Sequence, residues 1–301
     1  MPIYDCQLVQ VDGTSSPDAF KIGNRQSAIG NNLGVYVPKI SLNGLGLYYE
    51  IEGEGEPLVL IPGFAAGRWI WFKQTDELAR NFRVITFDPR GVSASDKPQG
   101  VLTMGLLADD VARLLQTIGV ESAHIVGASF GGFVAQEFAL RYPSMTRKLV
   151  LCCTSFGGPN HVVPAPETLQ ALASTKGLNS EERMRVNLLI AFNPEYVRTQ
   201  VEEIDRIVHL RATNDVPEHV YLSQLQAAVS FNAEDRVENI DKPTLVFSGD
   251  ADVIVPAQNS HNLAARIPNA SLCLIEGGSH TFFIEQAREF NHLVTEFLLR
   301  G

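Results

Sequence analysis

The residues best suited to chemistry lie at 127–131, which read Gly-Ala-Ser-Phe-Gly after the strand-like run 123–126. A β-branched run that breaks into G-x-S-x-G and continues into a helical pattern is typical of a nucleophile elbow. In that turn the serine hydroxyl projects from the edge of a sheet, and the glycines are required because two backbones approach too closely for a Cβ. The motif therefore predicts Ser129 as a catalytic nucleophile.

A serine nucleophile needs a base, because its hydroxyl is weakly nucleophilic near neutral pH. Among the seven histidines, His280 follows the strand-like run 271–275 and precedes the last helical pattern. Reactive groups of open α/β sheets collect in loops beyond the carboxyl ends of strands. We therefore predict His280 as the base. His124 lies inside the strand before the elbow and is interpreted as a packed histidine.

The acid that orients this histidine is expected between Ser129 and His280 in chain order. Two aspartates follow the strand-like run 243–248. Asp252 precedes an apolar run and is predicted as the acid. Asp250 adjoins the strand end, where an aspartate commonly hydrogen-bonds the backbone of its own turn, and it remains the competing assignment.

An oxyanion hole requires two backbone N–H groups aimed at the developing charge. Phe130, the residue after the nucleophile, is expected to supply one of them. Phe64 is expected to supply the other from the loop after the apolar run 57–61, where Gly63 allows a close approach to the substrate. Two tryptophans near this loop are candidate walls of the substrate entrance, with helix packing as the alternative interpretation: Trp69 and Trp71.

Together these residues resemble the α/β-hydrolase superfamily over residues 39–300. The order Ser129, Asp252, His280 matches the order of the family, and the segment 90–96 is similar to its R-G-x-G-x-S-D turn. The resemblance implies an α/β fold of the α/β-hydrolase type: a mostly parallel central sheet, helices on both faces and an inserted helical cap.

The chain departs from the family pattern at two positions. Ser93 replaces the second glycine of the turn, and Pro62 stands where the oxyanion loop usually begins with histidine. Similar haloalkane dehalogenases and epoxide hydrolases carry aspartate at the nucleophile position. The serine at 129 therefore favours esterases, lactonases, C–C bond hydrolases and cofactor-free perhydrolases.

Composition is typical of a compact enzyme. With 301 residues and 45% hydrophobic content the chain can bury one large core. A formal charge of −10 with no basic stretch argues against a nucleic-acid partner. Metal-ligand spacing and a Gly-rich dinucleotide fingerprint are both missing from the sequence, so we expect neither a metal nor a cofactor. Cys152 and Cys153 are expected to be reduced core thiols on opposite faces of one strand.

The chain divides into three predicted regions. Residues 1–38 are interpreted as an arm outside the core, which could pack on a neighbouring subunit, so that a homo-oligomer stays open. Residues 39–51 predict a hairpin. Alternating strand and helix patterns assign 39–154 and 236–301 to the core, and 155–235 lacks strand patterns and is interpreted as the helical cap.

The predicted cap has helical stretches at 166–175, 180–192, 194–212 and 217–230. Its arginines are interpreted as mostly solvated, but one that faced inward would select substrates bearing a carboxylate. They are Arg183, Arg185, Arg198, Arg206 and Arg211.

The N-terminus lacks the basic and apolar regions of a secretory signal, and no apolar run is long enough to span a membrane. We therefore expect a cytoplasmic protein with no membrane partner.

The predicted activity is that of a serine hydrolase, a carboxylesterase or lactonase, that cleaves a small carboxylic ester or lactone through an acyl-enzyme. Three alternatives stay open: a C–C bond hydrolase of ring-cleavage products, a perhydrolase, and a slow-turnover homologue that senses a ligand.

Overall fold

The computed structural model describes residues 39–173, 180–214 and 216–300. The predicted arm at 1–38, with Cys6, lies outside the described residues. The strands in chain order are β1 (Ile40–Leu42), β2 (Leu45–Leu47), β3 (Tyr49–Glu52), β4 (Glu56–Ile61), β5 (Phe82–Phe87), β6 (Ala123–Ala128), β7 (Thr146–Cys152), β8 (Thr244–Gly249) and β9 (Ala270–Ile275).

The α-helices are α1 (Thr75–Leu78), α2 (Met104–Thr117), α3 (Phe130–Arg141), α4 (Pro166–Ala173), α5 (Ser180–Ile190), α6 (Pro194–Thr199), α7 (Val201–Thr213), α8 (Glu218–Ser230), α9 (Gln258–Arg266), α10 (Phe282–Glu285) and α11 (Ala287–Leu299). Short 3-10 helices occupy Arg68–Trp71, Pro143–Met145 and Val237–Asn239.

Within the described residues, seven strands form one sheet in the order β3-β5-β4-β6-β7-β8-β9. β3 is antiparallel to β5, and every other neighbouring pair is parallel. The predicted hairpin is confirmed as β1 and β2, joined at Asn43 and Gly44, which both have positive φ (52° and 86°). This twist suits a two-residue hairpin turn. The hairpin is shorter than predicted, because the chain after it joins the main sheet as β3.

Alternate residues of the central strands pack on opposite faces of the sheet, as the period of a strand requires. In β4, Val59 and Ile61 pack with α2, α3 and α9, whereas Leu58 and Leu60 pack with α1 and α11. The sheet is therefore covered on both sides, which explains the apolar runs of its parallel strands.

The segment between β7 and β8 contains the helices α4 to α8. The predicted helix 194–212 is two helices, α6 and α7, because Gln200 leaves the helical region (φ −110°, ψ 47°). α7 packs its buried Ile204, Ile207 and Val208 into the same cluster as α1 and α11. None of the described helices is long and apolar enough to cross a membrane.

The prediction that Cys152 and Cys153 are reduced core thiols is confirmed, but their predicted placement on opposite faces of one strand is wrong. Both side chains pack in one cluster, on the α11 side of the sheet. Cys152 is the last residue of β7, and Cys153 has a φ of 42°, so the alternation of a strand has already ended there. Both are buried as free thiols, and burial raises the pKa of each well above that of an ordinary cysteine.

Because β6, β7, β8 and β9 are parallel neighbours, the loops after them open at one edge of the sheet. Ser129 follows β6, Asp252 follows β8 and His280 follows β9. The topology thus places these three residues at the carboxyl edge of the sheet, where open α/β sheets bind their ligands.

Candidate active site

Ser129 stands in a strained turn between β6 and α3. Its φ of 53° and ψ of −117° are rare for a residue with a side chain. The turn is possible because its glycines approach other backbone: a Cβ on Gly131 would lie 2.3 Å from the Ile61 oxygen, and one on Gly127 would lie 2.3 Å from the Gly131 oxygen. The sequence motif and the local geometry agree.

The backbone N–H and carbonyl of Ser129 are both hydrogen-bonded, whereas its hydroxyl makes no capping bond to the helix that follows. Its N–H donates to the Cys152 carbonyl at 2.8 Å, and its carbonyl accepts from Thr154 Oγ1 at 2.9 Å. Serine at a helix N-cap commonly bonds the first turn of its own helix, but the Ser129 side chain makes no such bond to α3. Ser129 is half-buried and is not enclosed in the core.

His280 and Asp252 form a hydrogen-bonded pair. His280 Nδ1 lies 2.8 Å from Asp252 Oδ2. Asp252 Oδ1 also accepts the N–H groups of Ile254 and Val255, each at 2.8 Å. The aspartate side chain has no exposed surface, whereas 11% of the histidine side chain is exposed. Because an ionised carboxylate only accepts, Nδ1 carries the proton in this pair, and Nε2 of the neutral ring is the acceptor.

Asp250 has a different environment. It is exposed, and its Oδ1 accepts the Gly277 N–H at 2.7 Å, which ties the loop after β8 to the loop after β9. Of the two aspartates considered from the sequence, the structure therefore brings Asp252 to His280 and gives Asp250 a backbone contact.

A half-buried carboxylate holds the loop on either side of His280. Glu285 Oε1 accepts from Ser279 Oγ at 2.6 Å and from Thr281 Oγ1 at 3.0 Å, the two residues that flank the histidine. It also accepts the Asn193 N–H at 2.8 Å. Glu285 has no local sequence signal of this role, because a glutamate in a short helix is ordinary.

Cys153 connects the elbow with the acid. Its thiol lies beside the backbone N–H of Ser129 and near the Asp252 carboxylate, and burial followed by that negative charge raises the pKa of the thiol well above its usual value. A neutral thiol here adds no competing charge to the His280 pair.

The loop after β4 lies against the nucleophile. A Cβ on Gly63 would be 3.7 Å from the Ser129 Cβ, so the two turns are in contact. The rings of Phe64 and Phe130 meet edge to face at 6.0 Å between centroids. Among the described residues, neither the Phe64 N–H nor the Phe130 N–H has a hydrogen-bond acceptor. These are the two amides predicted for the oxyanion hole.

The turn at 90–96 is a structural support. Ser93 has a φ of 46°, so it keeps the left-handed conformation for which glycine is favoured, and the replacement preserves the turn. The Asp88 carboxylate accepts the N–H groups of Arg68 at 2.9 Å and Ala94 at 3.1 Å. Burial raises the pKa of Asp88, and these backbone bonds oppose that rise.

Both tryptophans are buried, to different extents. Trp71 has no exposed surface, and its ring packs against Phe283 at 5.2 Å between centroids. Trp71 as a wall of the entrance is therefore corrected to a core residue, because a side chain sealed by its neighbours cannot meet solvent or substrate. Trp69 keeps 8% of its surface exposed and remains a candidate.

One arginine on the helices between β7 and β8 contacts the loop after β4. Arg211 donates to the carbonyl groups of Phe64 and Ala65. The other described arginine side chains have surface partners: Arg185 pairs with Asp205, Arg198 pairs with Glu195 and Arg206 lies over the Phe72 ring.

No group of three or more His, Cys, Asp or Glu side chains that could hold a metal is found in the described part of the chain. The prediction of neither metal nor cofactor stays a prediction.

Comparison with known proteins decides the family. The profile of the α/β hydrolase fold matches residues 56–287. This chain belongs to the α/β hydrolase fold family. The putative carbamate hydrolase RutD of Caulobacter sp. strain K31 is 30% identical over 266 residues, which cover 84% of this chain and 96% of that protein.

Two solved structures of the family have similar architecture. The enol-lactonase of Burkholderia xenovorans LB400 has a TM-score of 0.77 and 25% identity, over 87% of this chain and 100% of that one. The meta-cleavage product hydrolase CumD of Pseudomonas fluorescens IP01, complexed with acetates, has a TM-score of 0.72 and 27% identity, over 85% and 94%. The predicted α/β-hydrolase fold is confirmed, and these relatives support hydrolase chemistry.

Proposed function

We propose that this family member is a serine hydrolase that cleaves a small carboxylic ester or lactone, with Ser129, His280 and Asp252 as its triad. The observation that carries the proposal is the 2.8 Å bond between the buried Asp252 carboxylate and His280 Nδ1, at the sheet edge where the strained Ser129 elbow also opens. The Phe64 and Phe130 amides beside the elbow supply the proposed oxyanion hole.

In this proposal the Ser129 oxygen attacks the substrate carbonyl carbon while His280 Nε2 takes the hydroxyl proton. The resulting oxyanion accepts hydrogen bonds from Phe64 N–H and Phe130 N–H. Its collapse breaks the ester C–O bond, and the leaving alkoxide takes the proton from His280. Water then attacks the acyl-serine, His280 takes its proton and returns it to Ser129, and the acid product departs. Asp252 stabilises the imidazolium in both steps.

The substrate class is supported by the relatives. An enol-lactonase and RutD, a putative carbamate hydrolase, both have names that refer to an acyl group bonded to a heteroatom. CumD, named for meta-cleavage products, supports a second candidate, a C–C bond hydrolase, since the same triad could act on a vinylogous diketone. We rank ester or lactone first because the predicted chemistry at Ser129 needs no feature beyond the triad and two amides.

The test is a substrate panel measured with the wild-type protein and Ser129→Ala. The panel contains p-nitrophenyl esters of increasing acyl length, lactones of increasing ring size, a carbamate and a vinylogous diketone. We expect multiple turnover on short esters or lactones, and a loss of more than about 10³-fold in Ser129→Ala with the fold intact by circular dichroism, because triad members act as one unit.

Three results would overturn the proposal. Ser129→Ala activity above about a thousandth of wild type on the best substrate would place the chemistry elsewhere. A single burst without further turnover would favour the ligand-sensing alternative. Turnover of the diketone alone would select the C–C bond hydrolase and reject the ester assignment.

A further inference from the structure

Two side chains from the helices between β7 and β8 hold the turn that contains Phe64. Gln224, on α8, accepts the Ala65 N–H at 2.7 Å through Oε1. Arg211, on α7, donates from Nη1 to the Phe64 carbonyl at 3.4 Å and to the Ala65 carbonyl. We call these two residues the turn clamp. Distant parts of the chain therefore determine the shape of a turn beside the nucleophile.

The clamped turn is not a conformation that the backbone prefers by itself. Ala65 has a φ of 47°, in the left-handed region, and only 1% of its surface is exposed. The bond that closes the turn, from Ala66 N–H to the Gly63 carbonyl, is long at 3.3 Å. A residue in this region costs free energy and persists where the surrounding structure holds it. The turn clamp supplies that support.

The clamp residues are themselves unusual in their positions. Gln224 is 1% exposed, and burial of an amide is costly unless it is hydrogen-bonded. Burial lowers the pKa of Arg211 to about 10, and no carboxylate in the described residues forms an ion pair with it. A poorly solvated cation without a carboxylate is stabilised here by the two carbonyl dipoles. The Ala65 N–H thus satisfies the buried Gln224 Oε1, and the Phe64 and Ala65 carbonyl groups accept from the Arg211 guanidinium.

The clamp occupies the backbone polar groups around Phe64 and leaves its N–H open. The carbonyl of Phe64 and both polar groups of Ala65 are taken by the clamp, whereas the Phe64 N–H has no acceptor in the described residues. Resting on the proposed function, we propose that Arg211 and Gln224 are positioning residues that aim the Phe64 N–H at the oxyanion and couple packing of the helical segment to assembly of the hole.

The test uses p-nitrophenyl acetate, a neutral ester, so that recognition of a substrate carboxylate cannot contribute. Gln224→Met keeps the length of the side chain, and Arg211→Met keeps an unbranched stem but is two atoms shorter. Both remove the bonds to the turn. We expect kcat to fall about 10- to 100-fold, less than the 10²- to 10³-fold typical for removal of a donor. KM should change by less than about threefold, because the interaction is made mainly in the transition state.

Matched controls come from the same helices. Arg206→Met on α7 and Gln226→Met on α8 remove an arginine and a glutamine that contact Phe72 and Ser230 instead of the turn. Both should keep the wild-type kcat. Because Glu retains an acceptor oxygen, Gln224→Glu should recover part of the activity lost in Gln224→Met, and it also serves if the Met variants fold poorly.

A readout specific to the oxyanion hole is the affinity for a trifluoromethyl ketone, which forms a tetrahedral adduct with the nucleophile. Its inhibition constant should rise by the same factor as kcat/KM falls in each clamp variant. Equal kcat values for wild type and folded clamp variants would overturn the proposal, as would a rise in KM alone. Failure of the proposed function itself would be seen separately, as Ser129→Ala activity that persists with the clamp intact.

Discussion

The described residues contain two histidine–carboxylate pairs at opposite ends of one sheet, and they have the same separation. At the carboxyl edge, His280 Nδ1 lies 2.8 Å from Asp252. At the amino end, His124 Nε2 lies 2.8 Å from Glu56, the first residue of β4. The carboxylate is buried in the first pair and exposed in the second. The Asp252 side chain has no exposed surface, whereas the Glu56 side chain is 47% exposed. The imidazole of His124 is buried.

Distance alone therefore does not identify a catalytic pair. Glu56 is shared with Arg147 at 2.7 Å and faces solvent, and His124 Nδ1 is buried with no partner among the described residues. The His124 pair therefore has no histidine nitrogen available to a substrate. The His280 pair has a carboxylate committed to one orientation and lies at the edge where the Ser129 turn opens. The interpretation of His124 as a packed core residue is confirmed.

The largest expected effect separates Asp252 from Asp250. Asp252→Asn should lower kcat by about 10⁴-fold, because an amide in place of the carboxylate favours the wrong tautomer of His280. Asp250→Asn is the matched control, because it makes the same substitution two residues away. In the described residues the Asp250 carboxylate accepts the Gly277 N–H. The kcat of Asp250→Asn should stay within about threefold of wild type. Steady-state kinetics on the best ester measure both, and equal mild losses would remove Asp252 from the triad.

A smaller effect tests the His124 pair through stability. Burial lowers the pKa of His124, and the hydrogen bond that its Nε2 donates to the Glu56 carboxylate opposes the change without cancelling it. The unfolded chain therefore binds more protons than the folded chain as pH falls below about 6.5. The stability that the neutral, buried ring contributes is complete above that pH and is lost as pH decreases through the lower pKa of the folded state.

His124→Gln should consequently flatten part of the decline in free energy of unfolding between pH 7 and pH 5. The direction of this change follows from the lowered pKa of the folded state, and kcat should be unaffected. Urea unfolding at several pH values measures it, and an exposed histidine, His261 of α9, gives the control as His261→Gln. A slope identical to wild type would show that His124 titrates alike in both states.

Much of the site could be predicted because its parts follow strands. The elbow has a local sequence motif, and His280 and Asp252 lie just after β9 and β8, where a parallel sheet brings loops to one edge. What was missed comes from helices. Gln224 and Arg211 reach the Phe64 turn across a large sequence separation, and nothing in their own helical patterns indicates that contact.

Other errors arose where a regular pattern stopped earlier than the residue types suggested. Cys153 still belongs to an apolar run, but its backbone has left β7, so it shares a face with Cys152. Gln200 is compatible with a helix by type, yet its backbone divides 194–212 into two helices. Trp71 lay near the oxyanion loop in sequence and packs into the core. Each outcome depends on tertiary contacts that composition does not encode.

The proposed roles of Ser129 and His280 are tested most directly by the site and rate of labelling with a fluorophosphonate, followed by intact mass and peptide mapping. We expect one adduct, on Ser129, formed rapidly in the wild type and in His124→Gln and greatly slowed in His280→Ala, because His280 is the proposed base for the hydroxyl. An adduct on another residue, or a labelling rate that His280→Ala leaves unchanged, would contradict these roles.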